Sequence, residues 1–289
     1  MYNYSKAVCE KNADLEGVGA QCEFVHGDAN KLPFPDESFD AVVSNYVYHN
    51  IMGADKQELL LESLRVLKKG GVFVLHDNMK PKLYGDMHAF AKKLRDMGVY
   101  DDTVIVFASD HGSHFKTRNK DRHLNGYDDY KRSCHDACLH VPLVVRGPGF
   151  RGGKRVRELV STASLPKTFL AMAGVSADMI GENLQSVADG KVDGRENAVF
   201  AQISESRVGR CVRTARYLYS VYAPGKNGGE CADSDVYADD FLYDMDSDPW
   251  QLHNLAGDPA YASVRDELAA LLIRKMKEAG ERPPRIERL

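Results

Sequence analysis

Long apolar runs are missing from this sequence. No stretch approaches the ~20 consecutive apolar residues that a membrane-spanning helix requires. The opening residues 1–6 also lack the charged region and apolar run that mark a secretory signal peptide. We therefore expect no membrane partner and, for the chain as written, a cytoplasmic location.

Closely paired cysteines are missing as well. The chain has six cysteines, and none forms the Cys-x-x-Cys pair that is typical of zinc sites and redox motifs. Cys134 and Cys138 are four residues apart, which on a helix would place them on one face. We expect free, partly buried thiols rather than a zinc site.

Charge of one sign is not concentrated anywhere along the chain. The 38 Lys and Arg residues and 42 Asp and Glu residues give a formal net charge of -4. Because no basic stripe is present, we expect no nucleic-acid partner.

Hydrophobic residues make up 43% of the 289 positions, so the chain can bury a substantial core as one large domain or two modest ones. Composition leaves the oligomeric state undetermined.

Residues 1–76 alternate between helix and strand patterns, which favours a parallel α/β sheet. The patterns predict a helix at 4–12 and strands at 22–26, 39–44 and 72–76. Before the last of these strands, Asp55 and Glu58 have the spacing of a capping box. Residues 68–71 then supply basic last-turn residues and a glycine stop, so a further helix is predicted between them.

Three motifs in this region come in the order and spacing of a known family. They are Gly27-Asp28-Ala29, residues 39–45 and residues 64–71. Together they resemble the middle of a class I S-adenosylmethionine-dependent methyltransferase. The glycine-rich loop that lets the backbone approach the cofactor at a helix N-terminus is not in this sequence. We therefore expect a partial Rossmann-like segment with little S-adenosylmethionine binding and no active methyl transfer.

The methyltransferase resemblance implies roles for four residues. The acid at Asp28 would hydrogen-bond the adenine amino group of the cofactor. The positions from Asp40 to Asn45, with Ser44 among them, would line the floor of the cofactor and substrate pocket. Taken alone, Asp28 is a turn residue and Asp40 a strand-start residue, and the order of the three motifs favours the cofactor interpretation.

The pattern changes family between residues 81 and 100 without a Ser/Gly-rich linker. The amphipathic stretch 87–98 predicts a helix across this junction. Natural two-domain enzymes usually join complete modules through an exposed linker, so the junction indicates recombination or a misjoined reading frame, and both explanations stay open. We predict a truncated methyltransferase-like segment at 1–88, a helical junction at 89–98 and a second segment at 99–289.

Two ligand-capable side chains follow the β-branched strand predicted at 103–108. Asp110 and His111 lie at the carboxyl end of what we predict to be a parallel strand, where open α/β sheets place their sites. Taken alone, the pair is also typical of a strand-end turn in which the aspartate caps the backbone and the histidine faces water.

Further motifs in the second segment favour a functional role for this pair. They are residues 131–132, 141–149, a helix at 165–174, and residues 241–249 followed by Asn254-Leu255. With residues 109–112, this set resembles the C-terminal half of the sulfatase family, within the alkaline-phosphatase-like superfamily, over about residues 99–280. The resemblance implies an α/β fold with a small C-terminal antiparallel sheet, a strand at 217–222 and a terminal helix that starts at Asp258-Pro259.

The sulfatase resemblance also implies site residues. Asp110 and His111 would complete a calcium site whose other ligands in the family, an Asp pair and the formylglycine itself, lie far upstream. Calcium prefers six or more oxygen ligands, so we expect an incomplete calcium site. Lys131 would bind the sulfate of a sulfated small molecule or glycan and stabilise negative charge on the leaving oxygen. Sulfatase relatives are often exported.

Three histidines are candidate substrate-pocket residues on the same grounds: His114, His123 and His135. Lone histidines near loops are more often surface groups.

The alternating acids at 244, 246 and 248 lack the glycine and distal glutamate of an EF-hand, so they are interpreted as turn acids before Pro249.

A sulfatase nucleophile is missing from the sequence. None of the six cysteines lies in the Cys-x-Pro/Ala-x-Arg context from which sulfatases make formylglycine, the hydrated aldehyde that attacks sulfur. We predict a sulfatase-like protein of the sulfuric ester hydrolase family, for carbohydrate or aryl sulfates, that is inactive as an isolated chain. Three alternatives stay open: a zinc-dependent two-metal phosphodiesterase, a truncated methyltransferase and a non-catalytic chimeric fragment.

Overall fold

A computed structural model describes residues 5–45, 47–77, 80–113, 131–150, 152–205 and 207–288. The chain divides into two compact units, Met1–Asp102 and Thr103–Leu289. Each unit mixes helices with strands and has its own buried core. Within the described ranges, no helix is both long enough and apolar enough to cross a bilayer.

The first unit is built on two parallel strands, β1 and β2. In chain order, its elements are α1 (Lys6–Leu15), β1 (Phe39–Asn45), α2 (Lys56–Val66), β2 (Leu67–His76), α3 (Pro81–Tyr84) and α4 (Met87–Asp96). Short 3-10 turns occupy residues 19–21, 48–50 and 100–102. The parallel pairing and the alternation of helices with strands confirm the α/β prediction for this segment.

Aspartate caps begin two helices that share one core. Asp55 Oδ1 accepts the N–H of Gln57 at 2.8 Å, and Asp86 Oδ1 accepts that of His88 at 2.8 Å, so each cap satisfies one orphan donor of its helix. The buried side chains of the core are Tyr48, Leu59, Leu60, Tyr84, Phe90 and Leu94. The carboxylate of Glu58, predicted to complete a capping box, pairs with Lys93 Nζ at 3.3 Å.

The strand predicted at 22–26 is wrong. These residues have no regular structure, and Val25 is half exposed. An extended segment becomes a strand only when a neighbouring strand takes up its hydrogen bonds, and within the described residues β1 and β2 pair only with each other.

The glycine stop predicted at Gly70-Gly71 is also placed wrongly. Helix α2 ends at Val66, and residues 68–71 bulge out of β2, since Phe39 pairs with Leu67 but Ala41 pairs with Val72. Gly70 adopts a φ of 77°, which a glycine permits in a bulge as readily as after a helix.

The second unit contains a five-stranded sheet of order β5-β6-β7-β8-β9. In chain order, its elements are β3 (Ile105–Ala108), α5 (Asp136–Leu139), β4 (Leu143–Arg146), α6 (Ser164–Met172), α7 (Leu184–Ala188), β5 (Ala198–Ser204), β6 (Val208–Thr214), β7 (Tyr217–Tyr222), β8 (Val236–Asp244), α8 (Ala262–Glu278) and β9 (Arg285–Glu287). Strands β5 to β8 are antiparallel, as predicted, whereas β9 pairs in parallel with β8. The sheet is therefore mixed.

Helix α8 covers one face of this sheet. Asp258 Oδ1 accepts the N–H of Ala260 at 2.9 Å, which starts the 3-10 turn leading into the helix. Buried Leu268 and Leu272 pack in one cluster with Val212, Tyr219 and Leu242 of the strands. A fully buried leucine side chain stabilises the folded state by about 1.5–3 kcal/mol. The packing of α8 against the strands is therefore a major part of the hydrophobic core of the unit.

The direction of β3 relative to β4, in the same unit, contradicts a prediction. Strand β3, predicted to be parallel, runs antiparallel to β4, with Ile105 opposite Arg146 and Ala108 opposite Leu143. Side chains alternate with the same period in parallel and antiparallel sheets. A short apolar run therefore does not indicate the direction of the strand beside it.

Candidate functional site

The turn after β3 holds Asp110 and His111 next to each other. The N–H of His111 donates to Asp110 Oδ1 at 2.9 Å, and the Ser109 hydroxyl donates to the His111 carbonyl at 2.8 Å. One ring nitrogen of His111, Nδ1, lies 2.7 Å from the Gly112 carbonyl oxygen. The Asp110 carboxylate is more than half exposed, so it is accessible to a ligand from solvent.

This turn is fastened to helix α5 through its backbone. The N–H of Gly112 donates to the Cys138 carbonyl at 2.7 Å, and the N–H of Ser113 donates to the Ala137 carbonyl at 2.8 Å. A Cβ at position 112 would lie 2.0 Å from the Ala137 oxygen, so only glycine fits here. The contact brings the turn with Asp110 and His111 against the helix that follows Lys131 in the chain.

Lys131 lies beside a carboxylate that no sequence motif indicated. Glu205, just after β5, has one carboxylate oxygen 3.4 Å from Lys131 Nζ and the other 3.4 Å from Arg132 Nε. All three side chains are about two-fifths exposed, and exposed ion pairs contribute at most about 1 kcal/mol. Because these pairs are weak, another anion could displace Glu205 from Lys131.

His135 lies in the core of the second unit. Its ring is fully buried, with Nδ1 hydrogen-bonded to the Ser133 hydroxyl and Nε2 3.4 Å from the Tyr243 hydroxyl. The ring centroid lies 4.3 Å from that of Phe241. This environment holds the segment that follows Lys131 in place, and the substrate role of His135 stays a prediction.

A strained glutamine fixes the start of α5. Gln251 has a φ of 58°, which is uncommon for a residue other than glycine, and its side chain is buried. Its Oε1 accepts the N–H of Asp136 at 3.0 Å, and Arg213 Nε donates to the Asp136 carboxylate at 3.2 Å. Nothing in the sequence pattern indicated Gln251, because its role depends on a contact between residues 115 positions apart.

The predicted calcium ligands Asp110 and His111 lie in the part of the chain that the structure describes. Within that part, no group of three or more His, Cys, Asp or Glu side chains is arranged to hold a metal ion. Asp110 and His111 supply at most two ligands, which do not satisfy calcium. His114 and His123 lie outside the described residues.

Two of the cofactor residues expected in the first unit, Asp28 and Asp40, have polar partners of their own. Asp28 is exposed, and its carboxylate accepts the N–H of Asn30 at 2.9 Å and the side-chain amide of Asn30 at 2.8 Å. These two bonds lower the pKa of Asp28. Asp40, at the start of β1, pairs with Lys68 Nζ at 2.9 Å. Ser44 lies about 13 Å further along the strand, as the rise per residue requires.

The carboxyl end of β1 contains a buried polar cluster instead. The Ser44 hydroxyl is buried and has no hydrogen-bond partner among the described residues, and Asn45 ends the strand. At the adjoining end of β2, where His76 pairs with Asn45, the His49 ring and the Asp77 carboxylate hydrogen-bond, and the Tyr84 hydroxyl donates to Asp77 at 2.8 Å. Burial, with this bond, raises the pKa of Tyr84.

Sequence reasoning missed this second cluster although a signal was present. Asp77 directly follows β2, and the carboxyl ends of parallel strands are where α/β sheets place their sites. An aspartate that hydrogen-bonds one ring nitrogen of a histidine fixes the tautomer and orients the other nitrogen. The arrangement could hydrogen-bond to a ligand hydroxyl or accept its proton.

Comparison with known proteins identifies both segments. The family model for the C-terminal domain of N-sulphoglucosamine sulphohydrolase matches residues 125–278, more than half of the chain. The chain belongs to this sulfatase family. Lys131 lies inside the matched range, whereas Asp110 and His111 precede it. The model of a methyltransferase domain matches residues 2–75, so the chain joins segments that match two different families.

Individual relatives agree with the two models. A Delta 4,5-hexuronate-2-O-sulfatase of Bacteroides thetaiotaomicron is 30% identical over 183 residues, which cover 59% of this chain and 34% of the relative. A sterol 24-C-methyltransferase of Gibberella zeae is 33% identical over 101 residues, or 35% of this chain and 26% of the relative. The chain thus spans about a third or less of the length of these relatives.

A solved structure shows the same fold. A protein crystallised with its substrate D-glucosamine-2-N,6-O-disulfate superposes with a TM-score of 0.54 at 23% identity, covering 68% of this chain and 39% of that one. At this identity the likeness establishes the fold only.

Proposed function

We propose that the second unit carries the sulfate-binding part of a sulfuric ester hydrolase site, for a carbohydrate or aryl sulfate, with Lys131 as the residue that contacts the sulfate. The observation that carries this proposal is the position of Lys131: it lies within the matched sulfatase range, close before the helix to which the Asp110-His111 turn is fastened. An ammonium group is a compact point charge suited to a sulfate oxygen.

The neighbouring charges support anion binding at this position. Arg132 adds a second cation beside Lys131, and both share the single carboxylate of Glu205. A sulfate that replaces Glu205 would find two positive groups, which favour binding and stabilise negative charge on a leaving oxygen. Glu205 would then act as a competitor for the ligand.

We propose no turnover for a polypeptide of these 289 residues. The sequence has no Cys-x-Pro/Ala-x-Arg motif to supply the aldehyde nucleophile, and the described residues offer calcium only Asp110 and His111. Binding without hydrolysis is the expected behaviour. Within the superfamily, the residues from Tyr243 to Leu255, which lie inside the matched range, favour this proposal over a zinc phosphodiesterase.

Binding of a sulfated disaccharide to the full chain tests the proposal. We expect Lys131→Ala to weaken the affinity at least about tenfold, since a charge-assisted hydrogen bond to the sulfate is worth about 1.5–3 kcal/mol. Glu205→Gln should strengthen binding, because it removes the competing carboxylate. Lys191→Ala is the matched control, since Lys191 is an exposed lysine that also pairs with one carboxylate, that of Asp189.

Isothermal titration calorimetry gives the affinities, and release of inorganic sulfate measures turnover. Equal affinities for the wild type and Lys131→Ala would contradict the sulfate-binding role. Sulfate release by the wild-type chain would contradict the absence of turnover.

A second candidate function is binding of S-adenosylmethionine by the first unit. The observation in its favour is the buried cluster of His49, Asp77 and Tyr84 after β1 and β2, within or close to the methyltransferase match. Titration of the chain with S-adenosylmethionine tests it. No binding at millimolar S-adenosylmethionine would remove this function. For methyl transfer, the chain of segments 1–88, 89–98 and 99–289 would then be a non-catalytic chimera.

A further inference from the structure

Two cysteines that are distant in sequence meet in the core of the second unit. Cys134 precedes α5, Cys211 lies in the middle of β6, and both are buried in one cluster with Leu218 and Phe241. Both thiols are free. Neither belongs to the sulfate-binding residues proposed above.

The strand geometry places the Cys134 sulfur over the face of β6 to which Cys211 points. Gly209 and Cys211 are two residues apart on β6, so they share one face of the sheet. A Cβ built on Gly209 would lie 3.6 Å from Cys134 Sγ, and the missing side chain of Gly209 leaves room for this sulfur.

Hydrogen bonds complete the placement. The Cys134 thiol bonds to the Cys211 thiol and also to the hydroxyl of Ser220, which lies directly opposite Cys211 on β7. Directly opposite residues have Cβ atoms about 4.5–5.5 Å apart, so a group that contacts both must sit close to each. The two sulfurs are therefore neighbours on one face of the sheet.

The two thiols also differ in acidity. The hydrogen bond from Cys211 lowers the pKa of Cys134, whereas the bond to Cys134, together with burial, raises the pKa of Cys211. The thiolate is the form that attacks a disulfide. Cys134, which is also the less deeply buried of the two, is accordingly the attacking residue of the pair, and Cys211 is the thiol that resolves the mixed disulfide.

We propose that Cys134 and Cys211 form a reversible disulfide that stabilises the second unit. The oxidant is a small-molecule disulfide such as glutathione disulfide. Cys134 thiolate attacks one of its sulfurs and releases one glutathione thiolate, and Cys211, on losing its proton, then attacks Cys134 Sγ and releases the second. Two protein thiols and one disulfide give one protein disulfide and two glutathione thiols.

The bond would fasten the segment that carries Lys131 and His135 to the sheet. It would close a loop between residues 134 and 211, and long closed loops restrict the unfolded chain most. We therefore expect the oxidised chain to unfold at a temperature about 5 to 10 °C higher than the reduced chain.

Peptide mapping of the full chain tests the proposal. The chain is incubated folded with glutathione disulfide, and a second sample is refolded from denaturant in a glutathione redox buffer, which removes the barrier of burial. Free thiols are alkylated, and the digest is analysed by mass spectrometry. Glutathionylation of Cys22, which is exposed, shows that the oxidant was active.

A peptide that joins Cys134 to Cys211, with a raised unfolding temperature, is the expected result. Cys138→Ala should leave the crosslink intact, since Cys138 is equally buried and close in sequence but outside the pair. Alkylation of both thiols in the refolded sample, a Cys134–Cys138 crosslink, or a lower unfolding temperature after oxidation would each overturn the proposal. The peptide map of the wild-type chain decides between these outcomes, so the test does not depend on whether a variant folds.

Discussion

At the scale of single residues, Asp244 is a buried carboxylate held in its ionised form by an arginine. It ends β8, is buried, and accepts hydrogen bonds from two nitrogens of Arg216, the shortest at 2.7 Å. The N–H of Asp246 also donates to it at 3.2 Å. The bond from Arg216 is the main cause that lowers the pKa of Asp244 below its usual value. Its place in the turn before Pro249 agrees with the interpretation of the acids at 244–248 as turn residues.

A pH dependence of stability follows from Asp244. A carboxyl with a lowered folded-state pKa stabilises the fold above its unfolded pKa of about 3.9, and this contribution is lost as the pH falls through the folded-state pKa. We expect Asp244→Asn to lower the free energy of unfolding by about 1–2 kcal/mol at pH 7, and by much less at acid pH. Urea denaturation at pH 7 and at about pH 3 measures both values.

Asp246→Asn is the matched control, since Asp246 is mostly exposed and lies 3.9 Å from Arg216. We expect it to change the free energy of unfolding by less than about 0.5 kcal/mol. An Asp244→Asn effect of the same size at both pH values would show that the carboxylate charge does not stabilise this turn.

At the scale of elements, the contact between the 109–113 turn and helix α5 depends on a single glycine. Two backbone hydrogen bonds join the turn to Ala137 and Cys138, and a Cβ on Gly112 would collide with the first of these carbonyls. The carbonyl belongs to the backbone, so the clash cannot be relieved by a side-chain rotation. The position of Asp110 and His111 relative to α5 therefore depends on residue 112 having no side chain.

We expect Gly112→Ala to separate the turn from α5 and to cost about 1–3 kcal/mol of stability. The amide protons of Gly112 and Ser113 should lose their protection against hydrogen exchange, which mass spectrometry of the corresponding peptides detects. Gly257→Ala is the control, because a Cβ there meets nothing within 4 Å. Unchanged exchange at residues 112–113 in Gly112→Ala would contradict this account of the contact.

At the scale of the whole molecule, the β3–β4 pair exposes apolar side chains. Phe107 and Val144 are opposite each other in the pair, and they are 58% and 60% exposed. Within the described residues, β3 and β4 pair only with each other, so both are edge strands. Exposed apolar edges of this kind favour association with other chains.

We expect the full chain to self-associate as its concentration rises, and Phe107→Lys to shift it toward the monomer. A lysine on an edge strand opposes pairing through its charge. Sedimentation velocity between about 5 and 100 μM measures the shift. Leu252→Lys adds the same charge at an exposed loop position and should leave association unchanged. A wild-type chain that stays monomeric throughout this range would refute the expectation.

The sequence alone indicated four of the helices and which family each segment resembles. Capping aspartates, glycine stops and apolar periodicity depend on neighbours within a few residues, so they indicated α2, α4, α6 and α8 before any contact was known. The ordered motifs identified the two families for the same reason, because motif spacing is a property of the chain.

Only the tertiary structure decided the direction of β3 and the absence of a strand at 22–26. Both depend on which segment lies alongside, and the period of an apolar run is the same whatever the neighbour. The partners of Lys131, His135 and Cys134 were likewise set by contacts with Glu205, Tyr243 and Cys211, more than 70 residues away in the chain. Side chains brought together over such distances leave no local pattern, because burial and charge pairing act between neighbours in space.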